Sequence, residues 1–383
     1  MSGPGPANRG LYVHIPFCPQ VCPYCSFAVT TPRPRLHQRY VEALCAELRA
    51  RRSEGLSGPL DTVYFGGGTP TLLEPSLLGQ VLAEIRVLYG LVPDAELTVE
   101  ANPEGADSRR FAALREMGFN RLSLGIQSFA DQSLRLLGRR HDQAQAVAAC
   151  AAARLAGFAN LNLDLIFAIP GAPPGDWQHS LQSALAQRPE HLSTYALTIE
   201  EGTPFAKHER EGRLVPLAED GQASAYEGAV AQLEGAGFEH YEVSNFARPG
   251  FHSHHNWGYW QGGQYLGVGL AAHSLLGGRR SWNQRRLAAY LEAVEEGRSP
   301  EAGGEVLDPA AARGESLWLG LRTSAGIALE PGLAERERFR ALVAAGYLEL
   351  RGGRVGLTRQ GFVLADALSV ELMDLLEGVE PKR

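Results

Sequence analysis

Three cysteines lie close together in the stretch Cys18-Pro-Gln-Val-Cys22-Pro-Tyr-Cys25. They directly follow an apolar run, Leu11–Ile15. Thiolates so close on one loop can converge on a soft metal centre. Structural zinc wants four protein ligands. The nearest fourth candidates, His14 and His37, do not have zinc-finger spacing. A cubane iron–sulfur cluster normally takes four cysteines. Cys45 and Cys150 lie in Ala- and Leu-rich helical segments and read as buried small apolar side chains. Three local thiolates would leave one iron open, and an open metal position is where chemistry happens.

Other polar residues recur at the ends of apolar runs. Gly66-Gly67-Gly68-Thr69-Pro70 follows the second run. Glycines there would let backbone N–H groups approach a charged ligand, or simply make a turn. No Gly-Lys-Ser/Thr follows, so it is not a Walker loop. Glu100 ends the third run, Gln127 the fourth, Arg139 lies twelve residues later, and Asp164 sits in the fifth. Each alone could be a strand-end polar group or half of an ion pair. At successive strand ends of one barrel they would surround a ligand. A last cluster, His255-Asn256-Trp257-Gly258-Tyr259-Trp260, joins an imidazole to several aromatic side chains. The residues alone favour an aromatic-rich loop packed on the barrel mouth, with His255 hydrogen-bonded there.

Six short runs have the length and endings of buried parallel strands: Leu11–Ile15, Thr62–Phe65, Leu97–Ala101, Arg121–Ile126, Asn160–Ile166 and His191–Leu197. Between them Tyr40–Arg51, Ser76–Tyr89, Ser108–Met117, Gln143–Ala156 and Asp176–Ala186 have helical spacing, with Ser76 as an N-cap. The pattern predicts an α/β fold, a partial (β/α)6 barrel of the TIM type, with active residues at the C-terminal strand ends. His252–Ser274 reads as loop. Beyond Pro309 two helices, a glycine-turned hairpin around Gly352-Gly353 and a Thr358-capped helix predict a small winged-helix-like α+β unit that packs on the barrel. The expected division is 1–10 as a flexible start, 11–240 as barrel, 241–305 as a connecting segment carrying His255, and 306–383 as the C-terminal unit.

The net charge of −7 argues against nucleic-acid binding, and Arg279, Arg280, Arg285 and Arg286 read as a solvated face. No apolar run approaches the roughly 20 residues of a membrane helix. A Gly- and Pro-rich start without an apolar core predicts a cytoplasmic protein with at most peripheral membrane association.

The CxxxCxxC spacing resembles the radical S-adenosylmethionine (SAM) superfamily. LYVHIPFC, GGGTP, VEANP, GIQSF and LGRRH resemble, more narrowly, the oxygen-independent coproporphyrinogen III oxidases and the related HemW heme chaperones, over nearly the whole chain. The resemblance implies a 4Fe–4S cluster on Cys18, Cys22 and Cys25, whose open iron chelates S-adenosylmethionine and whose electron cleaves it to a deoxyadenosyl radical. It also implies cofactor contacts by Tyr12, Tyr24, Gly67, Gly68, Thr69, Glu100, Gln127, Arg139 and Asp164. GVGLAAHS (Gly267–Ser274) resembles a segment closing over the cofactor. The oxidases carry a further cysteine where this chain has Phe27, and the HNxxYW pattern at His255 resembles the chaperone branch, where it is tied to heme. That branch usually has Asp where Ser26 stands. The implied function is heme binding and transfer to an acceptor such as a respiratory protein, with a flavodoxin or ferredoxin as electron donor. The alternative is radical oxidative decarboxylation of coproporphyrinogen III.

Overall fold

A computed structural model of the chain describes residues 9–31, 34–56 and 58–377. Most of the stretch expected to be a flexible start, residues 1–8, lies outside them. The strands are β1 (Gly10–Ile15), β2 (Leu60–Gly67), β3 (Leu91–Ala101), β4 (Arg121–Gln127), β5 (Leu161–Phe167), β6 (His191–Ala196), β7 (Glu239–Glu242), β8 (Asn245–Ala247), β9 (Tyr265–Val268), β10 (His273–Leu276), β11 (Arg279–Asn283) and β12 (Glu301–Val306). They form one sheet in the order β12-β11-β10-β9-β1-β2-β3-β4-β5-β6-β8-β7. The stretch from β9 to β6 is parallel, and both flanks are antiparallel. The sheet curls but stays open, with β12 and β7 as edges.

Helices α1 (Pro34–Ala50), α2 (Pro75–Tyr89), α3 (Ser108–Met117), α4 (Asp131–Leu136), α5 (Gln143–Leu155) and α6 (Asp176–Ala186) connect the parallel strands. Ser76 is not the cap expected of it. α2 begins at Pro75 after Glu74, which makes no side-chain cap. Proline suits that first position because its missing N–H would have had no intrahelical partner. Asp107 caps α3, and Asp142 forms a capping box with Gln145 at α5.

The strands alternate strictly, yet both faces are covered. Leu11, Val13, Val63, Phe65, Leu97, Val99, Leu122, Leu124, Leu161 and Leu163 pack under the helices, all essentially inaccessible. The other face turns Tyr12, His14, Tyr64, Glu100, Ser123, Asn162, Asp164 and His191 into the barrel lumen, where they bond to one another. Alternation of this kind usually marks a sheet with one wet face; here the polar face is turned into the barrel and its side chains bond to one another.

Residues 252–274 are not a loop. They contain α9 (His254–Trp260), after α7 (Pro204–Arg210) and α8 (Glu219–Gly235), then β9 and the start of β10. β9 adds a seventh parallel strand beside β1. The turn after it is pinned by α1: Gly269 N–H donates to Glu47 Oε2 at 2.8 Å and Leu270 N–H to the Tyr40 hydroxyl at 2.9 Å. Glu47, fully buried, also accepts from Tyr290 on α10 (Leu287–Glu295) and from Asn283.

The C-terminal unit contains α11 (Pro309–Leu321), β13 (Ile327–Ala328), α12 (Glu337–Ala344), the hairpin β14 (Leu348–Arg351) and β15 (Arg354–Leu357), α13 (Arg359–Val363) and α14 (Ala365–Glu377). Its three strands pair in the order β13-β15-β14. Thr358 does cap a helix, but that helix ends at Val363, and α14 starts after Leu364. The unit docks on the β7 edge. Ser324 N–H donates to Tyr241 O at 2.9 Å, Val243 N–H to Arg322 O at 2.9 Å, and the Phe362 ring lies 4.5 Å from His240. The four arginines read as a solvated face include Arg279, paired with Glu301, and Arg280, paired with Glu305 and Glu315.

Glu242 lies fully buried at this seam, bridged to Thr323. Burial pushes its carboxyl up to about 7, only partly offset by hydrogen bonds from Ser244 and Asn245. In the native protein it keeps its proton to near pH 7, whereas in the unfolded chain it loses it near 4.5. Between those values the native state binds more protons, so its stability falls as pH rises. Glu242→Gln is therefore expected to exceed the wild type in stability by roughly 2–3 kcal/mol at pH 8 and to match it near pH 5. Urea titrations at both pH values measure this; a difference independent of pH would contradict it.

Candidate cofactor site

The cysteine loop leaves β1 at Ile15 and is closed at its base. Cys18 N–H donates to Thr30 O at 3.0 Å, and Thr30 N–H to Pro16 O at 2.7 Å. Cys25 N–H donates to Cys22 O at 3.0 Å, which makes a tight turn of Cys22–Cys25. Phe205 N–H, donating to Pro23 O at 3.1 Å, braces the loop from α7, and Gln20 braces it by donating to Gly138 O. Ser26 takes part through its backbone, its carbonyl accepting from Arg285 at 3.3 Å.

A chain of polar contacts joins two of the thiols. The Thr69 hydroxyl lies 3.8 Å from Cys18 Sγ and accepts from Asn102 Nδ2 at 2.8 Å. Asn102 Oδ1 accepts from Arg139 at 2.8 Å, and Arg139 also reaches Gly125 O at 2.9 Å and Cys22 Sγ at 3.7 Å. Arg139 is buried, with Nε lacking a protein partner. Burial pushes the Cys18 thiol up to about 11 and raises Cys25 as well. A bound metal must therefore supply the drive for deprotonation. A buried cation and a hydroxyl facing the sulfurs suit thiolates gathered on an anionic cluster.

Among the described residues, no three Cys, His, Asp or Glu side chains converge as the ligands of one metal ion would. A cubane has one thiolate on each of three irons, so its sulfurs stand apart. His14, a possible fourth zinc ligand, is committed elsewhere, with Nε2 2.9 Å from Ala28 O and Nδ1 3.1 Å from the Tyr12 hydroxyl. Burial lowers its pKa to about 4, so the ring stays neutral.

Gly67, which ends β2, and the two residues after it direct their N–H groups to the protein itself. The N–H of Gly67 goes to Glu100 Oε2 at 3.1 Å, that of Gly68 to Ile15 O at 2.8 Å, and that of Thr69 to Phe17 O at 2.7 Å. These groups serve the protein. Glycine is needed for space: a Cβ on Gly67, at φ 110°, would meet the His14 ring at 2.4 Å.

Glu100 is held by the Tyr64 hydroxyl at 2.7 Å as well as by Gly67. Burial, reinforced by Asp164, pushes it up to about 7. Asp164 accepts from Ser123 at 2.9 Å and Asn162 at 2.8 Å, and burial raises its pKa too. Gln127 ends β4 at φ 65°, next to a bulge, a conformation non-glycine residues seldom adopt. Tyr12 lies beside Tyr64, ring centroids 6.1 Å apart, and Tyr24 beside Phe205 at 6.2 Å. The structure thus gathers Cys18, Cys22, Thr69 and Arg139 in one network, and Gly67 with Glu100 in the one beneath it.

His255 belongs to neither network. It is buried at the opposite, N-terminal end of the strands, with Nδ1 2.8 Å from Thr62 Oγ1 and Nε2 2.8 Å from the Tyr259 hydroxyl. Its ring stacks on Tyr64 at 5.1 Å, and burial lowers its pKa to about 3. Both ring nitrogens are thus engaged, and α9 closes the base of the barrel.

Asn102, Tyr64 and the Glu104–His141 pair were not among the expected site residues. His141 Nδ1 lies 3.2 Å from Glu104 Oε1 and its Nε2 3.0 Å from Ile126 O. Burial opposes ionisation of Glu104, but the His141 hydrogen bond and the Arg139 charge hold it down near 2. Asn102 could have been found from its place at the end of the third strand, two residues after Glu100.

A family model described as "Radical SAM superfamily" matches residues 12–184. The heme chaperone HemW of Mycobacterium tuberculosis (strain H37Rv) is 41% identical over 94% of this chain and 93% of its own length. That of Bacillus subtilis (strain 168) is 35% identical over 83% of this chain and 84% of its own. Among solved structures, the coproporphyrinogen III oxidase HemN from Escherichia coli superimposes with a TM-score of 0.80, covering 95% of this chain and 89% of that one at 23% identity. At that identity the likeness concerns the fold, an α/β barrel with a C-terminal extension. On the strength of relatives that align over most of both lengths, this chain belongs to the heme chaperone HemW family of the radical SAM superfamily.

Proposed function

We propose that this protein is a heme chaperone: it binds heme, passes it to an acceptor protein, and carries a 4Fe–4S cluster with S-adenosylmethionine. The observation that carries the reading is the 41% identity to a HemW chaperone along 94% of the chain. Cys18, Cys22 and Cys25 hold the cluster. A cluster held there would supply an electron for reduction of S-adenosylmethionine. Arg139 and Thr69 donate toward the ligand sulfurs, and Asn102 fixes both donors. Glu100 and Asp164 would accept hydroxyl groups of the nucleoside, with Gln127 at the strand end and Tyr12 and Tyr24 as the aromatic residues beside it. Gly67 leaves room for the His14 ring and Gly68 for the backbone that carries β1 into the cysteine loop.

Val21 and Phe27, 49% and 68% exposed on the cysteine loop, suit docking of a small electron donor such as a flavodoxin or ferredoxin. No described helix is long and apolar enough to cross a membrane. We place the protein in the cytoplasm, with any membrane contact peripheral. His255 would have to leave Thr62 and Tyr259 before it could ligate iron.

The test uses anaerobically reconstituted protein, titrated with heme and separately given coproporphyrinogen III, S-adenosylmethionine and reductant. A saturable heme complex without porphyrinogen turnover is expected. Decarboxylation without heme binding would make the chain an oxidase, despite Phe27 in place of the oxidases' additional cysteine.

A further inference from the structure

Gln127 ends β4 in a tight reversal of the chain. Ser128 N–H donates back to Ile126 O at 2.8 Å, across a Gln127 φ of 65°. A three-residue turn closed in this way at positive φ is rare, and it is strained for a residue with a Cβ. β4 slips its register against β5 at the same place, between Leu124 and Gln127. The reversal brings the Gln127 side chain to the network around Arg139. A Cβ on Gly125 would stand 3.0 Å from Gln127 Nε2 and 2.7 Å from Asn102 Oδ1, so the two amides flank the bare face of that glycine. Asn102 is spent on Thr69 and Arg139. The half-buried Gln127 amide has no hydrogen-bond partner among the described residues.

Such strain must be held by contacts outside the turn. On the exit side, the Ser180 hydroxyl of α6 accepts from Phe129 N–H at 3.0 Å and bonds to the Ser128 hydroxyl at 2.8 Å. On the entry side, Arg139 donates to Gly125 O at 2.9 Å. The contact at the turn itself is His141. Its Nε2 lies 3.0 Å from the same Ile126 O that closes the turn, and its Nδ1 3.2 Å from Glu104 Oε1. A carbonyl and a carboxylate both accept, so the ring serves both only with a hydrogen on each nitrogen. The His141 side chain is wholly inaccessible, and Glu104 is fixed in turn by Arg140 N–H at 3.2 Å. The ring is therefore braced between an anchored carboxylate and the turn.

We propose that His141 is a positioning residue for S-adenosylmethionine: braced on Glu104, it holds the Ile126 carbonyl and so keeps Gln127 in the turn that offers its amide to the cofactor. This role depends on S-adenosylmethionine occupying the strand ends, as the functional reading has it. His141 acts there through the backbone. Glu104 also lies 3.6 Å from Arg139, so one carboxylate steadies both the turn and the cation that faces Cys22.

The test compares reconstituted wild type, His141→Leu, Gln127→Gly and the double variant. Each is assayed for iron and sulfide, for S-adenosylmethionine affinity by equilibrium dialysis, and for the change the cofactor makes in the electron paramagnetic resonance of the reduced cluster. Glycine adopts a φ of 65° without strain, so beside Gln127→Gly the brace has nothing to hold. His141→Leu is expected to keep its cluster, to bind S-adenosylmethionine about tenfold more weakly and to show a smaller spectral change. Gln127→Gly is expected to bind more weakly through loss of the amide, and adding His141→Leu to it should cost less than about twofold more. A merely structural histidine would cost the same factor in both backgrounds. That additivity, or wild-type affinity in either single variant, would overturn the positioning role and leave cofactor binding standing. Absence of S-adenosylmethionine binding by reconstituted wild type would overturn the reading of the site as well. Should His141→Leu fail to fold, His141→Gln, which retains one donor, carries the same comparison with and without Gln127→Gly.

Discussion

Gly68→Ala is expected to destabilise the protein by roughly 3 kcal/mol and to deprive it of its cluster. A Cβ at this position would stand 2.7 Å from Phe17 O, 2.9 Å from Ile15 O and 2.9 Å from the Pro16 carbonyl carbon. All three are backbone atoms, so no side-chain rotation relieves the clash. They belong to the segment that carries β1 into the cysteine loop, and Gly68 and Thr69 are bonded to that same segment. Relief therefore requires the loop to part from β2. Gly66→Ala is the informative contrast. Its Cβ would meet the Tyr64 ring at 2.8 Å and the Glu100 carboxyl at 3.0 Å, both side-chain atoms that can move. It is expected to lower stability by about 1 kcal/mol and to displace Glu100, weakening S-adenosylmethionine binding while the cluster remains. Urea titration with iron analysis of the two variants separates these outcomes; equal losses in both would contradict the distinction.

Cys22→Ala is expected to abolish cluster assembly. Anaerobic reconstitution should bring the wild type to about four iron and four sulfide per chain with brown absorption, and leave the variant near zero. Neither Cys45 nor Cys150 can substitute, because each is buried in a helix, α1 and α5 respectively. Arg139→Gln removes the cation facing Cys22 while all three thiols remain. It should still assemble a cluster, with a lower reduction potential, since positive charge and donors near the sulfurs favour the reduced state. Iron and sulfide retained in Cys22→Ala would remove the basis for the three-cysteine centre.

Much of this arrangement is legible in the residues because it depends on short-range pattern. The six central strands are apolar enough on one face to read as buried runs, and their polar ends mark the cofactor end. Glu100 is recognisable for that reason, whereas Arg139, which follows α4, is marked only by the resemblance of LGRRH. What escaped depends on contacts distant in sequence. β9 and α9 lie in a stretch dense in His, Trp, Tyr and Gly with no clean period, and their conformations are set by Glu47, Tyr40 and Glu96 from other elements. β12 is Gly-rich and largely exposed; Gly303 is required because Trp282 packs where its Cβ would be, at 2.8 Å. Tyr64 and Thr62 looked like ordinary strand residues, although one holds Glu100 and the other His255. For His255 the resemblance of the HNxxYW pattern implies a heme contact, and in this fold its neutral imidazole has two close partners, Thr62 and Tyr259, that no short-range pattern announces.

The most direct measurement of the central claim is heme transfer. Heme-loaded, cluster-containing protein is mixed with an apo heme-acceptor protein, and the acceptor's Soret band is followed with and without S-adenosylmethionine and reductant. The account predicts stoichiometric transfer faster than that from free heme, with no decarboxylated porphyrin formed when coproporphyrinogen III is supplied. A protein that binds no heme, or keeps it in the presence of excess acceptor while converting coproporphyrinogen III, would contradict it.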